Sequence, residues 1–138
     1  IKTRDIRGLY ILDDGVDRKL DDSWKDILAK MDFVIVQSYA MTELAKSAHI
    51  VLPGLAPFER EGTITNDKGR IQWLRPSLAT KGDSKPDWEI LMLVRNALHK
   101  ESEYFADLGE VIKKMGDQFP NYSGISLFKI GTQGMALT

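Results

Sequence analysis

The chain has 138 residues, 43% hydrophobic and 28% charged, with a formal net charge of -1. That length suits one domain with a core of its own, and the near-neutral charge leaves no polybasic surface for nucleic acid or anionic lipid. No apolar run approaches the roughly 18 to 20 residues of a membrane span, and the absence of cysteine excludes disulfides, thiolate zinc sites and cysteine-ligated iron–sulfur clusters within this chain.

Ile1 opens the chain with neither a methionine nor a signal-peptide pattern, so a fragment of a longer product is expected. Residues 8–12 form a short apolar run that stops at the turn signal Asp13-Asp14-Gly15. Leu20, Trp24, Ile27, Leu28 and Met31 then recur at helical spacing, with Lys25, Asp26 and Lys30 toward water. Residues 33–36 are continuously apolar, the pattern of a strand covered on both faces. A short helix is predicted over 42–48 and a third strand over 50–52, halted by Pro53-Gly54. Strand, helix, strand, helix, strand predicts an α/β fold. Its core is a three-layer, mostly parallel sheet with right-handed crossovers, half of a doubly wound unit with helices on both faces.

The stretch from Glu61 to Gln72 breaks this rhythm. Asn66-Asp67-Lys68-Gly69 has turn chemistry, since Asn and Asp tolerate left-handed backbone and Gly takes positive φ freely. Thr63-Ile64-Thr65 and Ile71-Gln72-Trp73 read as short strands, giving a hairpin or hooked loop. Arg70 follows the turn. It is either a surface arginine on a solvated hairpin or a guanidinium aimed at a carboxylate or phosphate.

Ser84-Lys85-Pro86-Asp87 resembles a capping box, and the helix that follows, from Trp88 to Leu98, is apolar nearly all round and expected to be buried, with Trp88 and Leu91 in the core. Phe105, Leu108, Val111, Ile112 and Met115 predict a further helix that Gly116 can end and Pro120 keeps from resuming. Residues 121–138 read as glycine-punctuated, loosely ordered loop. The whole, residues 1–138, is expected to be one α/β domain with the hooked hairpin and C-terminal helices appended. His49 and His99 are too far apart in sequence to form a local metal-ligand pair; His99, at a helix end, would in its charged form suit the helix dipole.

Taken in order, Phe33-Val34-Ile35-Val36-Gln37, Met41 to Ala48, Ile50-Val51-Leu52-Pro53, the hooked loop and Pro86-Asp87-Trp88-Glu89-Ile90 resemble the molybdopterin oxidoreductase superfamily. The resemblance runs from about Gly8 to Leu98, with a weaker likeness at Pro120 to Gly124. Each piece alone is unspecific; the ordered set is not. The resemblance implies a pyranopterin guanine dinucleotide beyond the carboxyl ends of the strands in active molybdenum or tungsten members. Carried over residue by residue, the matching positions are Gln37, Thr42, Glu43, Glu61, Gly62, Thr63, Asn66, Gly69, Arg70 and Gln72. Arg70 is the first choice for a phosphate contact, because a fork of donors suits a phosphate. Nothing in the chain itself marks a catalytic residue, a metal ligand or a cofactor held by this segment alone. Iron–sulfur clusters would lie elsewhere in the parent.

Departures from the pattern matter. Where the family commonly has Gly-x-Asn-Pro after the first strand, this chain has Asp13-Asp14-Gly15-Val16-Asp17, and three carboxylates would repel a diphosphate. The usual Asp after Val-Val-Gln is Ser38, and His49 stands where the family often has Asp. A Gly-Arg loop such as Gly69-Arg70 also occurs in the large iron–sulfur subunit of NADH-quinone oxidoreductase. These departures favour that branch, a superfamily fold acting as scaffold in a respiratory complex. The alternative is a cofactor-binding segment of a formate dehydrogenase-like molybdenum or tungsten enzyme. Either way the implied partners are the rest of the parent chain and other subunits of the complex. The implied location is cytoplasmic, peripheral to the inner membrane through other subunits, without direct insertion. Gly-x-Gly-x-x-Gly is absent, so a conventional dinucleotide fold has no sequence support.

Overall fold

β-Branched and other apolar residues dominate three short runs early in the chain, and each becomes a strand: β1 (Gly8–Leu12), β2 (Phe33–Ser38) and β3 (Ile50–Pro53). The computed structural model describes residues 6–99 and 103–137. The chain divides into two compact units. The first runs to Ala56 and takes in Lys81–Lys85; the second comprises Pro57–Thr80 and the residues from Pro86 on.

In the first unit the strands form one parallel sheet in the order β1-β2-β3, as their continuous apolar runs predict. Leu9 lies opposite Val34, Ile11 opposite Val36, and Val36 opposite Val51, so these five side chains share one face. The crossovers are α1 (Asp22–Leu28) and α2 (Glu43–Lys46). Leu28 of α1 and Ala45 of α2 join Val34 and Val36 in a buried cluster, with Leu9, Ile11, Leu44 and Val51 packed against it. Both helices therefore cover the same face, whereas helices on both faces were expected. The reason is topological. Strands that follow one another across the sheet send right-handed crossovers to one side, and a second helical layer needs a reversal of order that these three strands lack. The α/β class stands. α1 is shorter than its apolar stripe because Asp21 caps it, the carboxylate accepting from the Trp24 N–H at 2.9 Å. Leu20 and Met31 lie outside the helix and still pack on the core.

The second unit is built on an antiparallel hairpin, β4 (Gly62–Thr65) and β5 (Arg70–Leu74), at the position predicted from its turn residues. It continues through α3 (Asp87–Leu98), α4 (Leu108–Gln118), a 3-10 turn at Pro120–Tyr122, α5 (Leu127–Ile130) and β6 (Met135–Ala136), which pairs with β5. Ile71, Ile112, Ile125 and Ile130 form its buried cluster, with Met135 and Leu137 against it. The segment read as loose loop thus supplies two of the four buried residues. Its elements are one turn long, too short to show a period. α5 is capped by Ser126, whose hydroxyl accepts from the Lys129 N–H.

Three further expectations are corrected. α3 is not buried all round: Ile90 and Met92 are, but Leu91, Leu93 and Leu98 are 43%, 47% and 77% exposed, and Trp88 is half-buried. Apolar composition sets how much a helix can bury, not which neighbours it has. The capping box does not form, since the residue before α3 is Pro86 and no side chain caps the helix. α4 runs through Gly116 instead of ending there. A Cβ at Gly116 would stand 2.8 Å from the Tyr122 carbonyl oxygen, so this glycine serves a close approach of the following turn.

Candidate functional site

The carboxyl ends of β1, β2 and β3 gather Asp13, Gln37, Ser38 and Gly54 along one edge of the first unit, the edge at which open α/β sheets bind ligands. Gln37 is 2% exposed and accepts a hydrogen bond at Oε1 from the Tyr10 hydroxyl. Thr42, equally buried, does two things. Its Oγ1 accepts from the Ala45 N–H at 3.1 Å, which caps α2, and donates to Asp13 Oδ2 at 2.7 Å. The Glu43 N–H donates to Asp17 Oδ1 at 2.8 Å. The Ser38 hydroxyl donates to the Ala40 carbonyl at 2.9 Å. Gly15 has φ +72° and no room for a side chain, because a Cβ there would run into the Tyr39 ring. The acidic loop is therefore tied to the segment after β2 at three points: Asp13, Gly15 and Asp17.

Asp14 is turned the other way. Arg18 grips it with a fork, Nη1 to Oδ1 at 2.7 Å and Nη2 to Oδ2 at 2.8 Å. That fork, followed by the Val16 N–H, holds the Asp14 carboxyl at about 2, and the same contact raises the Arg18 guanidinium. Asp21 is lowered by the Trp24 N–H and then by the Ser23 hydroxyl. Beside the loop opens a cleft of roughly 330 Å³, lined among others by Asp13, Arg18, Leu20, Asp21, Trp24 and Thr42.

Carboxylate acceptors crowd this edge, and the cleft beside it also carries the Arg18 and Lys19 side chains. The backbone N–H groups of Asp13, Ala40, Thr42, Glu43, Ala45 and Gly54 all donate within the chain already. The three carboxylates read as repelling a diphosphate are each engaged: Asp14 by Arg18, Asp13 by a hydroxyl, Asp17 by a backbone N–H.

The other seven matching residues lie on the hairpin of the second unit. Asn66 organises the turn, its Oδ1 accepting from the N–H groups of Lys68 at 3.0 Å and Arg70 at 2.9 Å, with Gly69 at φ +69°. Gly62 and Thr63 pair with Leu74 and Trp73, and Gln72 with Ile64. Glu61 Oε1 accepts from the Trp73 indole at 3.3 Å, while the Arg75 guanidinium lies 4.0 Å over the Trp73 ring. Arg70 donates from Nε and Nη2 to the Gln133 carbonyl, at 2.9 and 2.7 Å, and from Nη2 to the Gly134 carbonyl at 2.9 Å. Gln37, Thr42 and Glu43 thus form one group and Glu61 to Gln72 another, each within its own unit. The Thr42–Asp13 pair, 29 residues apart, has no local signature; the turn of carboxylates just past a strand end was the one available signal.

His49 accepts the Val34 N–H on Nδ1 at 3.1 Å, and its ring lies tilted against Phe33 with centroids 5.7 Å apart. Among the described residues no group of three or more His, Asp or Glu side chains is arranged to hold a metal ion, and no helix is long and apolar enough to cross a membrane.

Compared with known proteins, the chain matches the family model for molybdopterin oxidoreductase over residues 1–96. It is 35% identical over 130 residues to a protein named as a formate dehydrogenase in Staphylococcus haemolyticus, covering 91% of this chain and 13% of that one. It is 35% identical over 112 residues to the F420-dependent formate dehydrogenase 2 subunit alpha of Methanococcus maripaludis, covering 78% and 16%. A Bacillus subtilis protein, also named as a formate dehydrogenase, is 34% identical over 125 residues, covering 88% and 12%. The chain thus spans between 12% and 16% of the length of these relatives.

Proposed function

The chain belongs to the molybdopterin oxidoreductase family, and from that premise we propose that it is a cofactor-binding portion of a formate dehydrogenase-type molybdenum or tungsten enzyme. The observation that carries this reading is the 35% identity over 130 residues to a relative named for formate dehydrogenase. The relatives named for formate dehydrogenase favour it over the reading as a scaffold within the large iron–sulfur subunit of NADH-quinone oxidoreductase, which rested on the acidic loop and the Gly69-Arg70 pair. The chain is then one part of a longer polypeptide, and its nearest partners are the other parts of that polypeptide.

The residues at the sheet edge suit one end of a pyranopterin guanine dinucleotide. Asp13, Asp17 and Asp21 are acceptors, and the cleft wall offers the Trp24 ring and Leu20. Such a surface fits the donor-bearing nucleoside, whose guanine N–H and ribose O–H groups seek carboxylates, as an acidic side chain holds ribose in other dinucleotide folds. It suits the diphosphate less well, because six backbone N–H groups of this edge, those of Asp13, Ala40, Thr42, Glu43, Ala45 and Gly54, already donate within the chain. When bound, such a cofactor supplies two-electron redox chemistry at its metal. The role of this chain is to orient the nucleoside: Thr42 fixes Asp13, and Gly15 under Tyr39 fixes the loop that carries it. Gln37, Thr42 and Glu43 are proposed here as site residues through this arrangement. Glu61, Gly62, Thr63, Asn66, Gly69 and Gln72 are proposed as site residues on their family match alone.

The test is metal and pterin analysis of the full-length protein, with formate oxidation measured alongside. Molybdenum or tungsten with pterin is expected, and Asp13→Asn should lower pterin content. Full-length protein free of pterin would overturn the reading and return the respiratory scaffold.

A further inference from the structure

We propose that Arg70 is a latch that seats the C-terminal strand on the hairpin, and that this, not contact with a phosphate, is the task of the arginine after the Gly69 turn. A guanidinium recognises a phosphate or carboxylate best through a two-donor fork. In Arg70 the Nε and Nη2 edge is already turned onto the carbonyls of Gln133 and Gly134, at 2.7 to 2.9 Å. The backbone around it is held as firmly: the Arg70 N–H donates to Asn66 Oδ1, and the Leu137 N–H donates to the Gly69 carbonyl at 2.8 Å.

The receiving end is shaped to match. Gly134 has φ +69°, and a Cβ on it would lie 2.6 Å from the Ile71 carbonyl oxygen and 3.4 Å from Arg70 Nε. Only glycine lets the turn come close enough for its carbonyls to meet the guanidinium. What the latch secures is the cover over Ile71, which is wholly buried, with Met135 and Leu137 packed against its cluster. Arg70, Gly134 and β6 form one device, and a catalytic or a scaffolding parent would both carry it.

Hydrogen–deuterium exchange on the full-length protein tests the proposal. Arg70→Ala should speed exchange of the Leu137 amide and its neighbours roughly tenfold to a hundredfold, the loss expected for charge-assisted hydrogen bonds, while β1, β2 and β3 exchange as in the wild type. Arg70→Lys places one point charge where a fork spans two carbonyls, so it should fall between the two. Gly134→Ala should open the same segment, with little added by combining it with Arg70→Ala. Should the variants fail to fold, inorganic pyrophosphate added in millimolar excess to the wild type decides: unchanged exchange over residues 66–71 and 133–137 is expected. Wild-type exchange at Leu137 in Arg70→Ala, full rescue by lysine, or pyrophosphate protection of residues 66–71 would each overturn the latch.

Discussion

Replacing Thr42 by valine removes a hydroxyl and little else, and two separate bonds go with it. The first caps α2, accepting from Ala45 N–H; losing such a cap costs about 1 kcal/mol. The second donates to the Asp13 carboxylate at 2.7 Å; a hydrogen bond to a charged group contributes about 1.5–3 kcal/mol. Asp13 is only partly buried, so water can recover some of the second loss. The expected total is therefore about 2–4 kcal/mol, counted from those two contributions. Thr42→Ser is the matched control. It keeps the hydroxyl and loses one buried methyl, about 1 kcal/mol. Urea denaturation of the three proteins, followed by circular dichroism, gives both differences. Amide exchange at Ala45 separates the cap from the rest. If valine costs no more than serine, the hydroxyl bonds are not what fixes the acidic loop, and the orienting role given to Thr42 fails.

Ile71 has no exposed surface, so Ile71→Ala should lower stability by about 2–5 kcal/mol in the same assay. On α3 the corrected orientation reverses one expectation: Met92→Ala should cost about 2–5 kcal/mol and Leu91→Ala less than about 1 kcal/mol, and equal losses would restore the picture of a helix buried all round. Asp14 should titrate at about 2 by carboxyl NMR, and Arg18→Ala should return it toward the ordinary 3.8. A carboxyl held low in the folded state stabilises above its ordinary value, and that contribution disappears as pH falls through about 2. A titration unmoved by Arg18→Ala would remove the fork as the cause.

Much of the first unit was legible because its signals are local. Continuous apolar runs made β1, β2 and β3 readable, and Thr42 sits where a cap is wanted; in the second unit only the hairpin had such a local signal, in Asn66 and Gly69. The rest depends on contacts distant in sequence. Nothing near Arg70 discloses that its partners are carbonyls more than sixty residues away. Leu91 and Met92 are equally apolar, yet the Met92 sulfur receives the Phe105 N–H at 3.2 Å while Leu91 faces outward. α5 and β6 are too short for periodicity, and three glycines at positive φ, Gly124, Gly131 and Gly134, shape the chain around them. At the sheet edge, the carboxylates could be counted from sequence, but their state could not. Whether three aspartates repel an anion depends on what each already holds.

His49 accepts the Val34 amide through a ring nitrogen two bonds beyond Cβ. That requirement is for a lone pair at the δ position, not for an imidazole. Aspartate and asparagine carry an oxygen at the same remove, so either side chain has an acceptor where the imidazole places one. The acceptor also fixes a tautomer: with Nδ1 receiving, the proton of the neutral ring resides on Nε2. His49→Asn is therefore the substitution that would keep an acceptor for the Val34 amide, and His49→Leu the one that would leave that amide without it.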